Sequence, residues 1–307
     1  MTDLSTRVGS LELPSPIMTA AGTAGHGAEL SAFVDLSSLG AVVVKSLAHF
    51  AWEGNPATRV HATPSGMINS VGLQGPGLPA WIDDELPDLR RAGARVVVSI
   101  WGRTVDDYKQ AAEMLGDLGP EVIAVEVNIS CPNTEHGNEL FAHSTELTAA
   151  VLAATEGCRR PRWAKLSPNI GGGLADIAGA AHDGGAEAVT LVNTYFGLSV
   201  DPATGEPRLG GIMGGVSGPA IRPLAVRAVA DVRAAHPDLP LIGVGGIATA
   251  PDVVEFARVG AAAVQIGTAT LADPRTCGRV GAELDRWCAN QGIQTFSELI
   301  GTARLGR

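Results

Sequence analysis

Residues 241–269 read LIGVGGIATAPDVVEFARVGAAAVQIGTA, and this stretch decides the fold. An apolar run, Leu241–Val244, ends in Gly245-Gly246, a pair suited to a tight turn. Thr249 then heads a helical pattern with Pro251 in its first turn, Asp252 three residues on and Gly260 after its end. A second apolar run, Ala263–Ile266, closes the unit. Two β-rich runs joined by a helix form a parallel βαβ unit, because a parallel pair needs a crossover of this length. Working outward, the same alternation recurs at Pro16–Thr19, Ala41–Val44, Val96–Ile100, Val122–Ile129, Trp163–Leu166 and Ala188–Asn193. With the two runs above, that makes eight strands, the number that closes a (β/α)8 TIM barrel. Thr104, with Asp107 three residues later, starts a further helix as a variant capping box.

No linker or short-period repeat interrupts residues 1–307, so a single barrel domain is expected. Two connections are long, 45–95 and 194–240. Insertions of this kind are expected over the C-terminal face, where barrels build their sites. Hydrophobic residues make up 45% and charged residues 18%, which suits a large core and not a disordered chain. The net charge of -10 leaves no basic surplus for nucleic acid or an anionic membrane. No run reaches the roughly 20 apolar residues that span a bilayer. The N-terminus MTDLSTRVGS lacks signal-peptide character, so a cytoplasmic location is expected. Cys131, Cys158, Cys277 and Cys288 form no CxxC, which signals neither a metal centre nor an iron–sulfur cluster in this chain.

Reading the strand ends gives the candidate chemistry. The second ends in Lys45-Ser46, the fourth in Asn128-Ile129-Ser130-Cys131-Pro132-Asn133, the fifth in Lys165-Leu166-Ser167-Pro168-Asn169, and the sixth in Asn193-Thr194. The seventh ends in Gly245-Gly246 and the eighth in Gly267-Thr268. These glycines read either as a phosphate cradle, with backbone N–H groups open to the anion, or as tight strand-to-helix turns. Lys45 and Lys165, two of only three lysines, read either as cations for the N1–C2=O edge of a flavin or as members of structural ion pairs. Cys131 reads as a general base at the rim, or else as a small core residue. The core reading is preferred for Cys158, Cys277 and Cys288, which fall in helical patterns. His136, after Cys131, is a substrate contact or a solvated loop residue.

The ordered motifs SPIMTAAGTAGHG (15–27), VVKS (43–46), EGNPATRV (53–60), SGMINSVGLQGPG (65–77), VNISCPN (127–133), KLSPN (165–169), LVNT (191–194), GGVSGPAIRPLA (214–225), IGVGGI (242–247) and VQIGTA (264–269) resemble the dihydroorotate dehydrogenase family over nearly the whole chain. A cysteine at the base position is the mark of class 1. The NISCPN loop and GLQ segment look most like the class 1B catalytic subunit.

The resemblance implies FMN held by Ala21, Gly22, Lys45, Ser46, Asn128, Lys165, Gly218, Gly245, Gly246, Gly267 and Thr268. It implies dihydroorotate, or its product orotate, held by Lys45, Asn69, Gly72, Leu73, Asn128, Asn193 and Thr194. Amide side chains suit the alternating N–H and C=O edges of that ring. It further implies that Cys131 removes a proton from C5, that hydride passes from C6 to flavin N5, and that Lys165 stabilises the reduced flavin. A homodimeric core and a separate electron-transfer subunit with FAD and a [2Fe–2S] cluster follow from the same likeness; fumarate is the acceptor in class 1A. The sequence departs from the family pattern at four places. Ala48 replaces a threonine, Ala51-Trp52 a Pro-Arg pair, Ala21 a serine and Gly75 an asparagine. Other readings of the same residues are a flavin oxidoreductase for another dihydropyrimidine, a non-redox phosphate-binding barrel, and a flavin-binding paralogue with little turnover.

Overall fold

The computed structural model describes residues 2–130, 132–133, 139–170 and 173–306; Cys131 and His136 lie outside the described residues. Eight parallel strands form one sheet: β1 Ile17–Thr19, β2 Val42–Val43, β3 Val96–Ile100, β4 Val122–Asn128, β5 Arg162–Lys165, β6 Ala188–Leu191, β7 Leu241–Val244 and β8 Ala261–Ile266. Each strand pairs with its neighbour in the chain, and β8 pairs with β1. The seam between β1 and β2 is carried by a Met18–Ala41 bridge and by the Thr19 hydroxyl, which accepts from Val43 N at 2.8 Å. The fold is a (β/α)8 barrel, and all eight expected strands are present with ends shifted by at most two residues.

Strand parity sorts the side chains. Val96, Val98 and Ile100 of β3, with Val125 and Val127 of β4, face the helices and belong to the large outer core. Val97, Ala124, Trp163, Ala188, Ile242 and Ala263 point inward and pack with Val8 and Leu13 of an N-terminal hairpin, Thr6–Val8 with Leu11–Leu13. The hairpin thus closes the bottom of the barrel with apolar side chains. Two residues further along the strands the interior becomes polar, with Ser99, Glu126, Lys165, Thr190 and Gln265 all buried. Parity places these groups between the apolar plug and the C-terminal mouth.

The expected helix starts are built as read. Helix Val105–Leu115 carries a full capping box between Thr104 and Asp107. Ahead of helix Ala250–Arg258, the Asp252 carboxylate accepts from the backbone N–H of Ala248 and Thr249, each at 2.9 Å. Its other oxygen pairs with Arg222.

The two long insertions do more than cover the mouth. Val60–Thr63 and Gly66–Asn69 from the first, with Tyr195–Leu198 and Met213–Ser217 from the second, form one four-stranded antiparallel sheet. The insertions therefore hold each other in place. Among the described residues, no helix is long and apolar enough to cross a membrane.

Candidate active site

Between the barrel mouth and this cover sheet lies a cavity of about 550 Å³, well within the usual range for cofactor and substrate sites. Every described residue that the family resemblance assigned to cofactor or substrate lines it. From the strand ends come Ala21, Gly22, Lys45, Ser46, Asn128, Lys165, Asn193, Thr194, Gly245, Gly246, Gly267 and Thr268, and from the insertions Asn69, Gly72, Leu73 and Gly218. Of the candidates, Cys131 and His136 lie outside the described residues, and Ser130, next to Cys131 in the chain, lines the cavity.

The floor is polar and cross-linked. Lys165 Nζ lies 3.7 Å from Glu126 Oε1, with the lysine side chain 7% and the glutamate 0% exposed. Glu126 Oε2 accepts from Thr190 Oγ1 at 3.1 Å and Gln265 Nε2 at 2.5 Å. The ion-pair reading of Lys165 therefore holds, and its side chain also lines the cavity. Ser46 Oγ shares a hydrogen bond of 2.9 Å with Ser99 Oγ. Tyr108 Oη donates to Asn128 O at 2.7 Å, fixing the end of β4 against helix Val105–Leu115 behind it.

The rim is held by amides. Asn69 Nδ2 donates to Gly215 O at 3.2 Å across the cover sheet, and Asn193 Oδ1 accepts from Thr194 N at 2.8 Å. Asn169, one of the rim asparagines, acts as a brace: its Nδ2 donates to Thr194 O at 2.9 Å and its Oδ1 accepts from Phe196 N at 2.8 Å. Thr268 Oγ1 donates to Ser217 Oγ at 2.8 Å, tying the end of β8 to the cover. Gly245 and Gly246 have φ of 140° and 71°, a left-handed turn that side chains disfavour. A Cβ on Gly246 would stand 2.8 Å from Gly218 O. The tight-turn reading of these glycines holds, and the turn forms part of the cavity wall.

Sequence reasoning gave no role to several lining residues. Asn55 and Ser70 meet at 2.8 Å on the wall, and Phe196, Ser217, Met67 and Val60 come from the cover sheet. Asn55 lies within the motif EGNPATRV, so its position was visible although its place on the wall was not. Ser130 Oγ is buried without a hydrogen-bond partner among the described residues, a hydroxyl left open to a ligand. Burial first, and then the nearby Lys45 ammonium, hold His26 below the usual histidine range. Away from the cavity, Cys158, Cys277 and Cys288 are buried. Burial pushes the Cys277 thiol up to about 11, which makes it an inert core residue.

The donor set fits a flavin nucleotide. Two ammonium groups, four amides and several hydroxyls converge on one cavity of adequate size, with an orphaned hydroxyl and a side-chain-free turn in its wall.

Comparison with known proteins agrees with this geometry. The family model described as dihydroorotate dehydrogenase matches residues 3–287. The chain is 42% identical over 304 residues to the dihydroorotate dehydrogenase B (NAD(+)) catalytic subunit of Geobacter sulfurreducens, covering 99% of each chain. It is 46% identical over 297 residues to the protein of the same name from Desulforudis audaxviator, covering 96% of each. The chain belongs to the dihydroorotate dehydrogenase family.

Proposed function

We propose that this enzyme oxidises (S)-dihydroorotate to orotate in the de novo pathway to UMP, with FMN in the cavity at the barrel mouth. The observation that carries the reading is convergence: sixteen residues nominated from separate motifs line one cavity. Bound FMN supplies the acceptor for the hydride that leaves C6. The chain's own residues do the rest. Cys131, as thiolate, takes the proton from C5, which is acidic beside its carbonyl, and the C5=C6 double bond forms. Asn69, Asn128, Asn193 and Thr194 present donors and acceptors to the ring edges, and Lys45 offers its ammonium to the substrate carboxylate. Lys165 places positive charge beside the cofactor, and the paired Glu126 holds that ammonium in the floor. Ala21, Gly22, Ser46, Gly218, Gly245, Gly246, Gly267 and Thr268 complete the cofactor wall, and Gly72 and Leu73 the substrate wall.

The relatives are named as catalytic subunits of an NAD(+) enzyme. We therefore assign NAD+ as the final acceptor, reached through a separate cytoplasmic subunit carrying FAD and a [2Fe–2S] cluster, on a homodimeric core. Copurification of such a subunit supports that assignment; full NAD+ reduction by the purified chain alone contradicts it.

The test of the activity is anaerobic. Dihydroorotate should bleach the visible flavin spectrum, and Cys131→Ala should slow the bleaching by about 10²- to 10⁴-fold. In the wild type the bleaching rate should rise with pH towards the thiol's ordinary value of about 8.5, since the base must be ionised. Bleaching by dihydrouracil and not by dihydroorotate would move the substrate to another dihydropyrimidine.

A further inference from the structure

Residues 47–52 read LAHFAW, the segment in which the chain departs most from the family pattern. Its last residue touches the wall of the cavity. Trp52 Nε1 donates to Gly72 O at 3.0 Å. Trp52 and Gly75 also exchange both backbone hydrogen bonds, each at 2.9 Å. Leu73 is thereby bracketed on both sides. Its φ is 62°, beside 74° for Gly72, and leucine stays in this left-handed region only where its surroundings hold it. Both residues line the cavity.

Trp52 is held from behind in its turn. The Arg103 guanidinium lies 3.8 Å from the centroid of its ring, with Phe50 at 5.5 Å. Arg103 N donates to Asp107 Oδ2 at 2.8 Å, and Asp107 Oδ1 meets His49 Nε2 at 3.1 Å. Asp107, the third residue of helix Val105–Leu115, completes the capping box with Thr104. A continuous set of contacts thus runs from a rigid helix start, through Arg103 and Trp52, to the cavity wall.

The geometry points to Trp52 as a positioning residue for the substrate: clamped by Arg103, it holds the Gly72–Leu73 turn in its left-handed form at the wall of the cavity. The inference rests on the dihydroorotate reading for its substrate. Without the indole N–H, Gly72 O loses its donor and Leu73 relaxes towards ordinary backbone angles. The wall then withdraws from the substrate, while Cys131 and the flavin-facing lysines stay in place. Substrate affinity falls and the chemical step does not.

Trp52→Ala in the purified holoenzyme should raise KM for dihydroorotate, and Kd for orotate read from the flavin spectrum, about tenfold, with kcat within about twofold. Trp52→Phe keeps a ring under Arg103 but lacks the N–H, and should fall between, at about threefold. Trp52→Ala/Arg103→Ala should be no worse than Trp52→Ala alone, because both residues act on one turn. Hydrogen exchange of residues 70–76, measured without substrate, should speed up in Trp52→Ala. Unchanged exchange, or KM and Kd like those of the wild type, overturns the inference. Loss of kcat together with KM also overturns it, since a merely loosened enzyme would behave so. A wild-type flavin that dihydroorotate fails to bleach overturns the substrate reading instead, and leaves the exchange result to decide the role of Trp52.

Discussion

The ammonium of Lys165 stands 3.7 Å from Glu126 Oε1 in the barrel interior, one strand apart and almost wholly shielded from water. Parity explains the meeting. In β4, Ala124, Glu126 and Asn128 alternate inward, and in β5 Trp163 and Lys165 do so, with Trp163 opposite Glu126 and Lys165 opposite Asn128. The lysine therefore starts at the mouth and sits within reach of a carboxylate one layer below. That carboxylate is already committed on its other oxygen to Thr190 and Gln265. A cation placed at a cavity floor is thus held by groups from β4, β6 and β8.

Breaking such a pair should be costly, because the remaining charge stays buried. Glu126→Gln should lower stability by about 3 kcal/mol, and Glu126→Gln/Lys165→Met should recover part of this by removing the stranded charge. Denaturant unfolding of the flavin-free chain measures both. An unchanged midpoint in Glu126→Gln would mean that water, not Glu126, satisfies Lys165.

Two glycine substitutions should act in opposite directions. Gly246 has φ of 71°, and an added Cβ would meet Gly218 O and Arg222 Cβ at 2.8 Å, so Gly246→Ala must displace one side of the cavity turn. The expected result is a purified protein with a lower flavin-to-protein ratio. Gly281 lies inside helix Thr276–Gln291 with nothing within 4 Å of an added Cβ. Gly281→Ala should stabilise the protein by about 0.5–1 kcal/mol and leave the flavin ratio alone. A normal flavin content in Gly246→Ala would detach this turn from the cofactor.

Much of this architecture was legible because it is local. Strand runs, glycine turns and the Thr104–Asp107 cap each depend on residues a few positions apart, and all eight strands appear where their β-rich runs stand. The strand-end residues were legible as a group because a barrel sends every strand end to one rim. The cover sheet was not legible. It pairs Asn69 with Gly215, 146 residues away, and its strands carry glycines and exposed apolar side chains instead of a clean alternation. Glu126 could have been found from the sequence, since a lone carboxylate in the apolar run VIAVEVN must be paired. The Arg103–Trp52 stack could not, because it joins loops after β2 and β3 that share no motif.

Asp107 offers a pH test of the segment that supports the cavity wall. Burial pushes its carboxyl up, but hydrogen bonds from Arg103 N, the His49 ring and Thr104 N outweigh this and hold it below the usual aspartate value. A carboxyl whose pKa is lower in the folded chain adds stability above its unfolded value of about 3.9, and that contribution is lost as pH falls through the lower folded value. Asp107→Asn loses the charge, and the amide cannot accept at all the donors the carboxylate satisfies. At neutral pH the variant should be less stable by about 1–2 kcal/mol, the order of the charge-assisted hydrogen bonds that it weakens. The gap between wild type and variant should narrow only below about pH 4, as the wild-type carboxylate takes up its proton. Urea midpoints of both proteins, measured from neutrality down to about pH 3, give the comparison. A gap that stays constant over that range would show that packing, not the negative charge at the helix start, is what Asp107 contributes.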